Sequence, residues 1–263
     1  MHFYRSLYPI SAITFDLDDT LYDNGPVIRK TLEVSHQAMC GWHQSLRHFS
    51  LEAWQAELNQ LRAEEPEIYH DVTEWRRRAV VQVMMKAGLC NTEAENGARE
   101  VMSIFAHWRT GALAQWRSQV AIAPEILTTL TALAGRFPLV AITNGNAEPA
   151  LFGLQKYFQF VLRAGPDGRA KPYADMFRLA AQRLNLSPKQ ILHVGDDLTA
   201  DVAGAIHSGM QACWIKPNGV SLKQSNSSCL MPTLEITQLA SLRALVFSQD
   251  SMPTDSPGTL ISP

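Results

Sequence analysis

The sequence has few cysteines, no long apolar run and almost no excess charge. The four cysteines lie far apart without any CxxC spacing, so reduced structural thiols are favoured over a disulfide framework or a zinc site. They are Cys40, Cys90, Cys213 and Cys229. No apolar run approaches the roughly 20 residues that a membrane-spanning helix needs, and the amino terminus has no signal-peptide hydrophobic region. With a formal net charge of −2 over 263 residues, the sequence predicts a cytoplasmic globular protein without a membrane or nucleic-acid partner.

An apolar, β-rich run at residues 13–15 leads directly into two carboxylates, Asp16 and Asp18. In an open parallel sheet, ligands bind beyond the carboxyl ends of the strands, and side chains alternate along an extended chain. We therefore expect Asp16 and Asp18 to converge on one point at a strand end. Two carboxylates at such a short distance from each other require either a hard cation such as Mg²⁺ or a division of roles between nucleophile and acid. A solvated acidic turn is the alternative interpretation of this segment alone.

A second apolar run, residues 191–194, also ends in a glycine and several carboxylates, among them Asp196 and Asp201. If the two strands are parallel neighbours, these carboxylates reach the same sheet edge as the first pair. Together they would form an oxygen-rich site suited to Mg²⁺. The repeated pattern therefore disfavours a solvated turn at the first segment.

Hydrogen-bond donors follow a third apolar run, at residues 138–142. Thr143 and Asn144 supply a hydroxyl and an amide at its end, and both suit the oxygens of a phosphoryl group. Lys171, placed before a proline, could supply a fixed cation, although a lone loop lysine is usually solvated. These residues predict a phosphate site next to the carboxylates.

Taken in order, these segments resemble the haloacid dehalogenase-like superfamily of hydrolases. The matching parts are the DxDx[TV] motif from Asp16, the strand ending at Thr143, Lys171, and the acidic segment 196–201. The resemblance implies phosphoryl transfer in which Asp16 attacks phosphorus, while Asp18 protonates the leaving oxygen and then activates water. Paired carboxylates suit this chemistry, because an aspartyl phosphate divides one difficult displacement into two easier ones. The dehalogenases of the superfamily lack an aspartate at the position of Asp18, so the resemblance favours a phosphatase.

The same resemblance implies a magnesium site and a phosphate site. Mg²⁺ would be bound by Asp16, the backbone carbonyl of Asp18 and Asp196, with Asp197 and Asp201 close behind them. The residues expected to bind the phosphate are Asp16, Leu17, Asp18, Thr143, Asn144 and Lys171. Their role is electrostatic stabilisation of the phosphoryl oxygens.

Strand-like runs alternate with helical patterns along most of the chain, which predicts an α/β fold with a Rossmann-like parallel sheet core flanked by helices. The strand signals lie at 10–15, 139–143, 160–164, 191–194 and 212–215, and clear helical patterns at 123–134 and 174–184. Residues 23–116 instead show helical periodicity with almost no strand signal. In the family that the chain resembles, such an insert after the first strand is an all-helical cap.

The predicted domains follow from this change of pattern. Residues 1–22 and 117–245 form the catalytic core, and residues 23–116 form the cap, with hinges near 24–26 and 118–121. The segment 246–263, rich in Ser, Pro, Asp and Thr, is predicted to be a disordered tail.

A cap of this kind would exclude water and recognise the part of the substrate that is not phosphate. Residues 65–76 crowd aromatic, acidic and basic side chains around a helix start, and Tyr69, Trp75 or Arg76 could stack on a planar base. The alternative is that Trp75 packs in the cap core while the charged residues form a solvated face.

Longer segments narrow the resemblance to a family of enterobacterial phosphatases of riboflavin biosynthesis, which act on 5-amino-6-(5-phospho-D-ribitylamino)uracil. The matching segments are 16–24, 65–75, 143–149, 162–166, 193–197 and 209–215, within a resemblance that covers residues 1 to about 242. It implies a small phosphorylated metabolite as partner, with flavin mononucleotide and other phosphomonoesters as further substrates. The alternatives are a general sugar-phosphate or nucleotide phosphatase, a phosphomutase that keeps water from the aspartyl phosphate, and a non-catalytic binding protein on the same fold.

Overall fold

A seven-stranded sheet lies at the centre of the fold in the computed structural model, which describes residues 1–110, 122–145, 147–216 and 230–245. The strands are β1 (His2–Phe3), β2 (Ala12–Phe15), β3 (Leu139–Thr143), β4 (Phe160–Arg163), β5 (Ile191–Gly195), β6 (Gln211–Ile215) and β7 (Leu234–Ile236). Their order is β1-β7-β6-β5-β2-β3-β4, and every neighbouring pair is parallel except β1 with β7. The predicted α/β class with a parallel sheet is therefore confirmed.

The described α-helices fall into two groups, one packed on the two faces of this sheet and one with an apolar core of its own. They are α1 (Gly25–Trp42), α2 (Leu51–Glu64), α3 (Val72–Lys86), α4 (Asn91–Thr110), α5 (Pro124–Ala134), α6 (Asp175–Leu184) and α7 (Gly204–His207), the last preceded by a π-helical turn, Leu198–Ala203. Leu130 of α5 packs in one buried cluster with Phe15, and Phe177 of α6 packs in another with Ile142. Because both faces are covered, β2, β3 and β5 are buried along their whole length, which explains their continuous apolar sequences.

Helices α1 to α4 have an apolar core of their own, and residues 25–110 are called the cap below. Trp54 and Met84 are fully buried in this cap core. Side-chain oxygens of Ser50 and Asp71 accept backbone N–H groups at the starts of α2 and α3, as good helix N-caps do. The helical insert expected from the periodicity is thus present between β2 and α5.

The sequence pattern did not predict two short strands, β1 and β7. β1 has only two residues, both exposed, and β7 has three, so neither shows a readable alternation. Each is defined by pairing with a distant segment, because Phe3 lies opposite Leu234 and Cys213 also lies opposite Leu234. The cap consequently follows the second strand of the chain, not the first.

Several predictions concern residues that the structure does not describe. The hinge at 118–121, the boundary at 116/117, the tail 246–263 and Cys229 lie outside the described residues, and the proposed domain boundaries stay predictions. Cys40, Cys90 and Cys213 are free thiols. Within the described ranges, no helix combines the length and the apolar character that a membrane span requires.

Candidate active site

The carboxyl ends of β2 and β5 bring the two acidic segments together. The strands are parallel neighbours with Thr14 opposite His193, and the backbone N–H of Asp16 donates to the carbonyl oxygen of Val194 on β5 across 2.9 Å. Asp16, Asp196 and Asp201 meet at this edge, where one oxygen atom of each lies within 4.8 Å of the others. The structure thus places carboxylates from both acidic segments at one sheet edge, as the strand pattern predicts.

Lys171 lies buried between two of these carboxylates. Its Nζ donates to Oδ1 of Asp16 and to Oδ1 of Asp201, each across 2.6 Å, and to the carbonyl of Ile142 across 2.9 Å. Burial alone would lower the pKa of the ammonium group, but the two carboxylates outweigh burial and raise this pKa above its usual range. Lys171 is therefore a fixed, hydrogen-bonded cation and not a solvated loop lysine.

Asp16 and Asp201 respond differently to the same buried surroundings. Burial raises the pKa of Asp16, Lys171 offsets this only in part, and the charge of Asp201 adds to the rise, so this pKa lies well above its usual range. Burial also acts to raise the pKa of Asp201, but Lys171 and His193 outweigh it and hold the pKa below its usual range. Asp201 is thus the permanent counter-ion of Lys171, whereas Asp16 needs further positive charge nearby to ionise readily.

A buried histidine supports Asp201 from inside the sheet. Nε2 of His193 lies 3.1 Å from Oδ1 of Asp201, and Nδ1 lies 2.8 Å from Oγ1 of Thr14. Desolvation lowers the pKa of His193, which favours the neutral ring. In that state Nε2–H donates to Asp201 and Nδ1 accepts from Thr14. Gly195 makes room for this arrangement, because a Cβ at that position would collide with the Asp201 side chain.

Asp18 is oriented by two neighbours that leave it partly exposed. The hydroxyl of Tyr22 donates to Oδ1 of Asp18 across 2.6 Å. On the other side, a Cβ added to Gly145 would lie 2.7 Å from Oδ2 of Asp18, so only a glycine permits this close approach. Asp19 is exposed in a tight turn with φ 61°, where its Oδ1 accepts the backbone N–H of Asn24 across 2.8 Å. Asp19 is therefore a turn residue.

The residues predicted to bind phosphate surround this edge in different ways. Leu17 is fully buried in the core, so its backbone N–H is the group that can face a phosphate. Oγ1 of Thr143 accepts the backbone N–H of Gly145 across 2.9 Å, which leaves the hydroxyl proton for another acceptor. Asn144 pairs with the Lys171 backbone: its Oδ1 accepts Lys171 N–H across 2.6 Å, and its Nδ2 donates to Lys171 O across 2.9 Å. One amide hydrogen of Asn144 remains outside this pairing.

Asp196 and its neighbour Asp197 have separate environments. Oδ1 of Asp196 accepts from Thr20 across 3.2 Å, and its carbonyl accepts from Nε1 of Trp214 across 2.8 Å. Burial, together with the charge of Asp201, raises the pKa of Asp196 to about 6. Asp197 is exposed, and its Oδ1 accepts two backbone N–H groups at the start of the following helical turn. Asp197 is a helix cap that holds the acidic segment in place.

The donor set of the edge fits a small hard cation. Mg²⁺ prefers carboxylate oxygens, and the three clustered carboxylates carry more negative charge than Lys171 alone balances. Asp201 already accepts from Lys171, His193 and the backbone of Asp197, whereas Asp16 and Asp196 retain oxygens without such bonds to described residues. Asp16 and Asp196 are therefore the better candidate ligands.

A cavity of about 440 Å³ lies between this edge and the cap. Its floor is formed by the acidic and phosphate-site residues described above, and its roof by residues of α1, α2 and α3. The cap residues that line it include Ile28, Gln55, Asn59, Arg62, Tyr69, Trp75 and Arg76. A volume of this size and mixed polarity is typical of a small-molecule site.

The three cap residues singled out from the sequence all line this cavity. The guanidinium of Arg62 lies 3.8 Å from the ring centre of Tyr69, so one face of Tyr69 is already covered. Trp75 makes an edge contact with Tyr69 and donates from Nε1 to the carbonyl of Leu58 across 2.9 Å. Trp75 therefore takes part in cap packing and also borders the cavity.

Sequence reasoning did not identify Tyr22, Gly145, Thr14 or His193 as residues of this site. Tyr22 lies four residues after Asp18, and Gly145 follows Asn144, so their positions in the strand-end segments were the available signal. Thr14 and His193 look like ordinary members of buried strands. Their pairing follows only from the register of β2 on β5.

Comparison with known proteins gives consistent matches over most of the chain. A model of the haloacid dehalogenase-like hydrolases matches residues 10–209. The 5-amino-6-(5-phospho-D-ribitylamino)uracil phosphatase YigB of Escherichia coli (strain K12) is 54% identical over 246 residues, which cover 94% of this chain and 100% of that protein. The crystal structure of a 2-haloacid dehalogenase from Pseudomonas syringae pv. Tomato DC3000 is 33% identical, with a TM-score of 0.72, and covers 92% of this chain and 100% of its own. A HAD phosphatase from Thermococcus onnurineus shares the fold, with a TM-score of 0.64 and 23% identity over 90% of this chain and 98% of its own.

Proposed function

The chain belongs to the haloacid dehalogenase-like hydrolases and is a phosphoric monoester hydrolase, and on that premise we propose a Mg²⁺-dependent mechanism with an aspartyl-phosphate intermediate. The observation that carries this proposal is the placement of Asp16 beside the buried cation Lys171, with Asp18 nearby on the same strand end. A carboxylate nucleophile, a separate carboxyl group and a fixed cation are the groups that such a reaction needs.

In the first step, Asp16 attacks phosphorus. Oδ1 of Asp16 accepts a hydrogen bond from Lys171, whereas Oδ2 accepts none from a described residue. Oδ2 is therefore the proposed attacking atom. The new O–P bond forms as the bond from phosphorus to the leaving oxygen breaks. Asp18, oriented by Tyr22, donates its proton to that oxygen, so the alcohol leaves neutral.

In the second step, Asp18 acts in the opposite direction. As a carboxylate it takes a proton from water while the water oxygen attacks phosphorus, and the bond between phosphorus and Asp16 breaks. Inorganic phosphate is released and both aspartates return to their starting states. Lys171 and Thr143 would stabilise the phosphoryl oxygens through both steps.

Mg²⁺ at Asp16 and Asp196, with the predicted carbonyl of Asp18, would neutralise phosphate charge and align it for displacement. The raised pKa of Asp16 supports this requirement, because further positive charge is needed to keep the nucleophile ionised.

We propose 5-amino-6-(5-phospho-D-ribitylamino)uracil as the physiological substrate, with flavin mononucleotide as a further substrate. The support is the 54% identity of this chain to a phosphatase named for the first compound, over the whole length of that phosphatase. The cavity wall agrees with a planar, hydrogen-bonding ring, since Gln55 and Asn59 offer amide donors and acceptors beside the Arg62–Tyr69 pair.

The test measures phosphate release with Mg²⁺ from the phosphorylated ribitylaminouracil, flavin mononucleotide, sugar phosphates and nucleotides. Preference for the first two supports the proposed substrates, whereas a flat profile would indicate a general phosphatase. Interconversion of sugar phosphates without free phosphate would indicate a mutase. Halide release from a 2-haloacid, prompted by the dehalogenase structure at 33% identity, is the remaining comparison, and none is expected.

The covalent intermediate is tested with two aspartate variants and a matched control. Asp16→Asn should lose more than about 10³-fold in turnover while remaining folded, because the nucleophile is gone. Asp18→Asn should accumulate a phosphoryl group on the protein, which intact mass spectrometry detects. Asp19→Asn, which changes the neighbouring turn carboxylate, should retain activity. An active Asp16→Asn enzyme would rule out the covalent mechanism.

A further inference from the structure

A histidine of the cap makes a hydrogen bond directly to the core segment that carries Lys171. The backbone N–H of Ala170 donates to Nδ1 of His70 across 3.0 Å. Ala170 is 1% exposed, so its N–H has little access to water as an alternative partner. The contact joins the cap to the residue immediately before the active-site cation.

The surroundings of His70 fix the ring in the state that can accept this bond. Nε2 lies 3.0 Å from Oε2 of Glu67, so a proton on Nε2 has a carboxylate partner while Nδ1 stays unprotonated. The ring also makes an edge contact with Tyr173 at 5.0 Å. Tyr173 in turn donates to Oε1 of Glu67 across 3.3 Å. His70 is thus held between its own turn and the core.

The turn that carries His70 is itself anchored in the cap. It is a 3-10 turn, Pro66–His70, in which Ile68 is buried in the cap core. On the opposite side, Gly165 lies against this turn: a Cβ there would lie 3.5 Å from the carbonyl oxygen of His70. Movement of the cap away from the core would therefore carry His70 away from Ala170.

The backbone around Lys171 is consequently held from two directions. Asn144, from the end of β3, binds both the N–H and the carbonyl of Lys171. His70, from the cap, binds the preceding N–H. Nζ of Lys171 lies 2.6 Å from an oxygen of Asp16 and 2.6 Å from an oxygen of Asp201. Both hydrogen bonds are sensitive to small displacements of the Lys171 backbone.

We propose that His70 is a positioning residue that completes the Lys171 site only when the cap lies against the core. The bond from Ala170 to His70 links cap closure to the placement of the cation beside the nucleophile. Chemistry is then favoured in the closed state, where the cavity is also shielded from water. The link to catalysis rests on the proposed function, whereas the link between His70 and the Ala170 backbone does not.

Three variants separate the hydrogen bond from simple packing. His70→Phe keeps a ring against Tyr173 but removes the acceptor. His70→Asn is smaller but places its Oδ1 close to the position of Nδ1, so it should restore the bond. Tyr173→Phe removes a second hydrogen bond between this turn and the core, from Tyr173 to Glu67, while leaving Ala170 paired.

The first measurement is hydrogen exchange of the backbone amides in peptides covering residues 169–171, which needs no enzymatic activity. Exchange should accelerate in His70→Phe and stay close to wild type in His70→Asn and Tyr173→Phe, with unchanged exchange in β2 and β5 as the check on folding. Equal protection in His70→Phe and wild type would overturn the proposed link, whatever the enzyme acts on.

The second measurement is turnover of flavin mononucleotide and of acetyl phosphate, which is too small to fill the cap side of the cavity. His70→Phe should lose roughly 10-fold to 100-fold in kcat on both substrates, with His70→Asn recovering most of it. A loss confined to KM for flavin mononucleotide would overturn the positioning role and identify a substrate contact. If wild type releases phosphate from neither compound, the proposed function fails, and the exchange result still decides the structural link.

Discussion

Lys171 donates from Nζ to Oδ1 of Asp16 across 2.6 Å, and both side chains are buried. The carboxylates favour the charged form of buried Lys171, whereas Lys171 offsets only part of the rise that burial causes in the pKa of Asp16. Oδ1 of Asp201 also accepts from Nζ of Lys171, at the same distance. Asp16 and Lys171 are therefore one electrostatic unit, and changing either member should affect stability as well as chemistry.

Replacement of the cation is expected to be costly in both respects. Lys171→Met would leave Asp16 and Asp201 buried without a counter-ion, which destabilises a fold by about 3–5 kcal/mol. Turnover should fall by about 10²–10³-fold or more, since a donor to the phosphoryl oxygens is lost. Denaturant unfolding and phosphate-release kinetics measure the two effects. Lys189→Met, an exposed position away from the cavity, is the matched control and should change neither. Full activity in Lys171→Met would contradict the assigned role.

The sequence pattern was sufficient for much of this edge because parallel strands end together. Asp16 and Asp196 could be placed at one site from two apolar runs that both end in carboxylates. The role of Lys171 came instead from the order of motifs, since nothing local distinguishes it from a solvated lysine. Its burial depends on the carbonyl of Ile142 and on Asp201, both distant in sequence.

Contacts between residues that are distant in sequence could not be predicted from the sequence pattern, for a physical reason. Thr14 and His193 meet only because of the register between β2 and β5, and a shift of β5 by one residue would turn His193 to the other face. The bond from Ala170 to His70 depends in the same way on how the cap sits on the core. Neither contact leaves a period or a motif in the chain.

A methyl group at Gly145 should disturb Asp18 while sparing the fold. The added Cβ would lie 2.7 Å from Oδ2 of Asp18, and the end of a side chain moves more easily than backbone. Gly145→Ala is therefore expected to lose about 10²-fold in kcat, with a change in unfolding free energy below about 1 kcal/mol.

The control for this variant is Gly41→Ala in α1, where a Cβ meets nothing within 4 Å. Alanine is favoured over glycine inside a helix by up to about 1 kcal/mol, so this variant should keep its activity and gain slightly in stability. Thermal unfolding and kcat on flavin mononucleotide compare the pair. Loss of activity in both variants would show that the effect is not specific to Asp18.

Removal of the Tyr22 hydroxyl should weaken the acid–base step without loosening the core. In Tyr22→Phe the ring can keep its stacked contact with Phe152 at 4.3 Å, whereas the 2.6 Å bond to Asp18 is lost. General acid–base catalysis typically accelerates a reaction by roughly 10²–10⁴-fold. Because Asp18 would be only partly misoriented, kcat should fall by about tenfold. Tyr4→Phe loses a comparably short bond, to Glu235, remote from the cavity, and should be fully active. Unchanged kcat in Tyr22→Phe would mean that Asp18 is oriented by other contacts.

The carboxylate cluster predicts a strict requirement for Mg²⁺. A chelator should stop turnover, and added Mg²⁺ should restore it, whereas Ca²⁺ should not, because its longer bonds and larger number of ligands would misplace Asp16. Asp196→Asn should raise the Mg²⁺ concentration needed for half-maximal activity by at least about tenfold. Asp197→Asn keeps the cluster and changes only the exposed helix cap, so its Mg²⁺ requirement should match wild type. Titration of activity against Mg²⁺ in the three proteins separates a ligand from its neighbour, and turnover that persists in chelator would remove the metal from the mechanism.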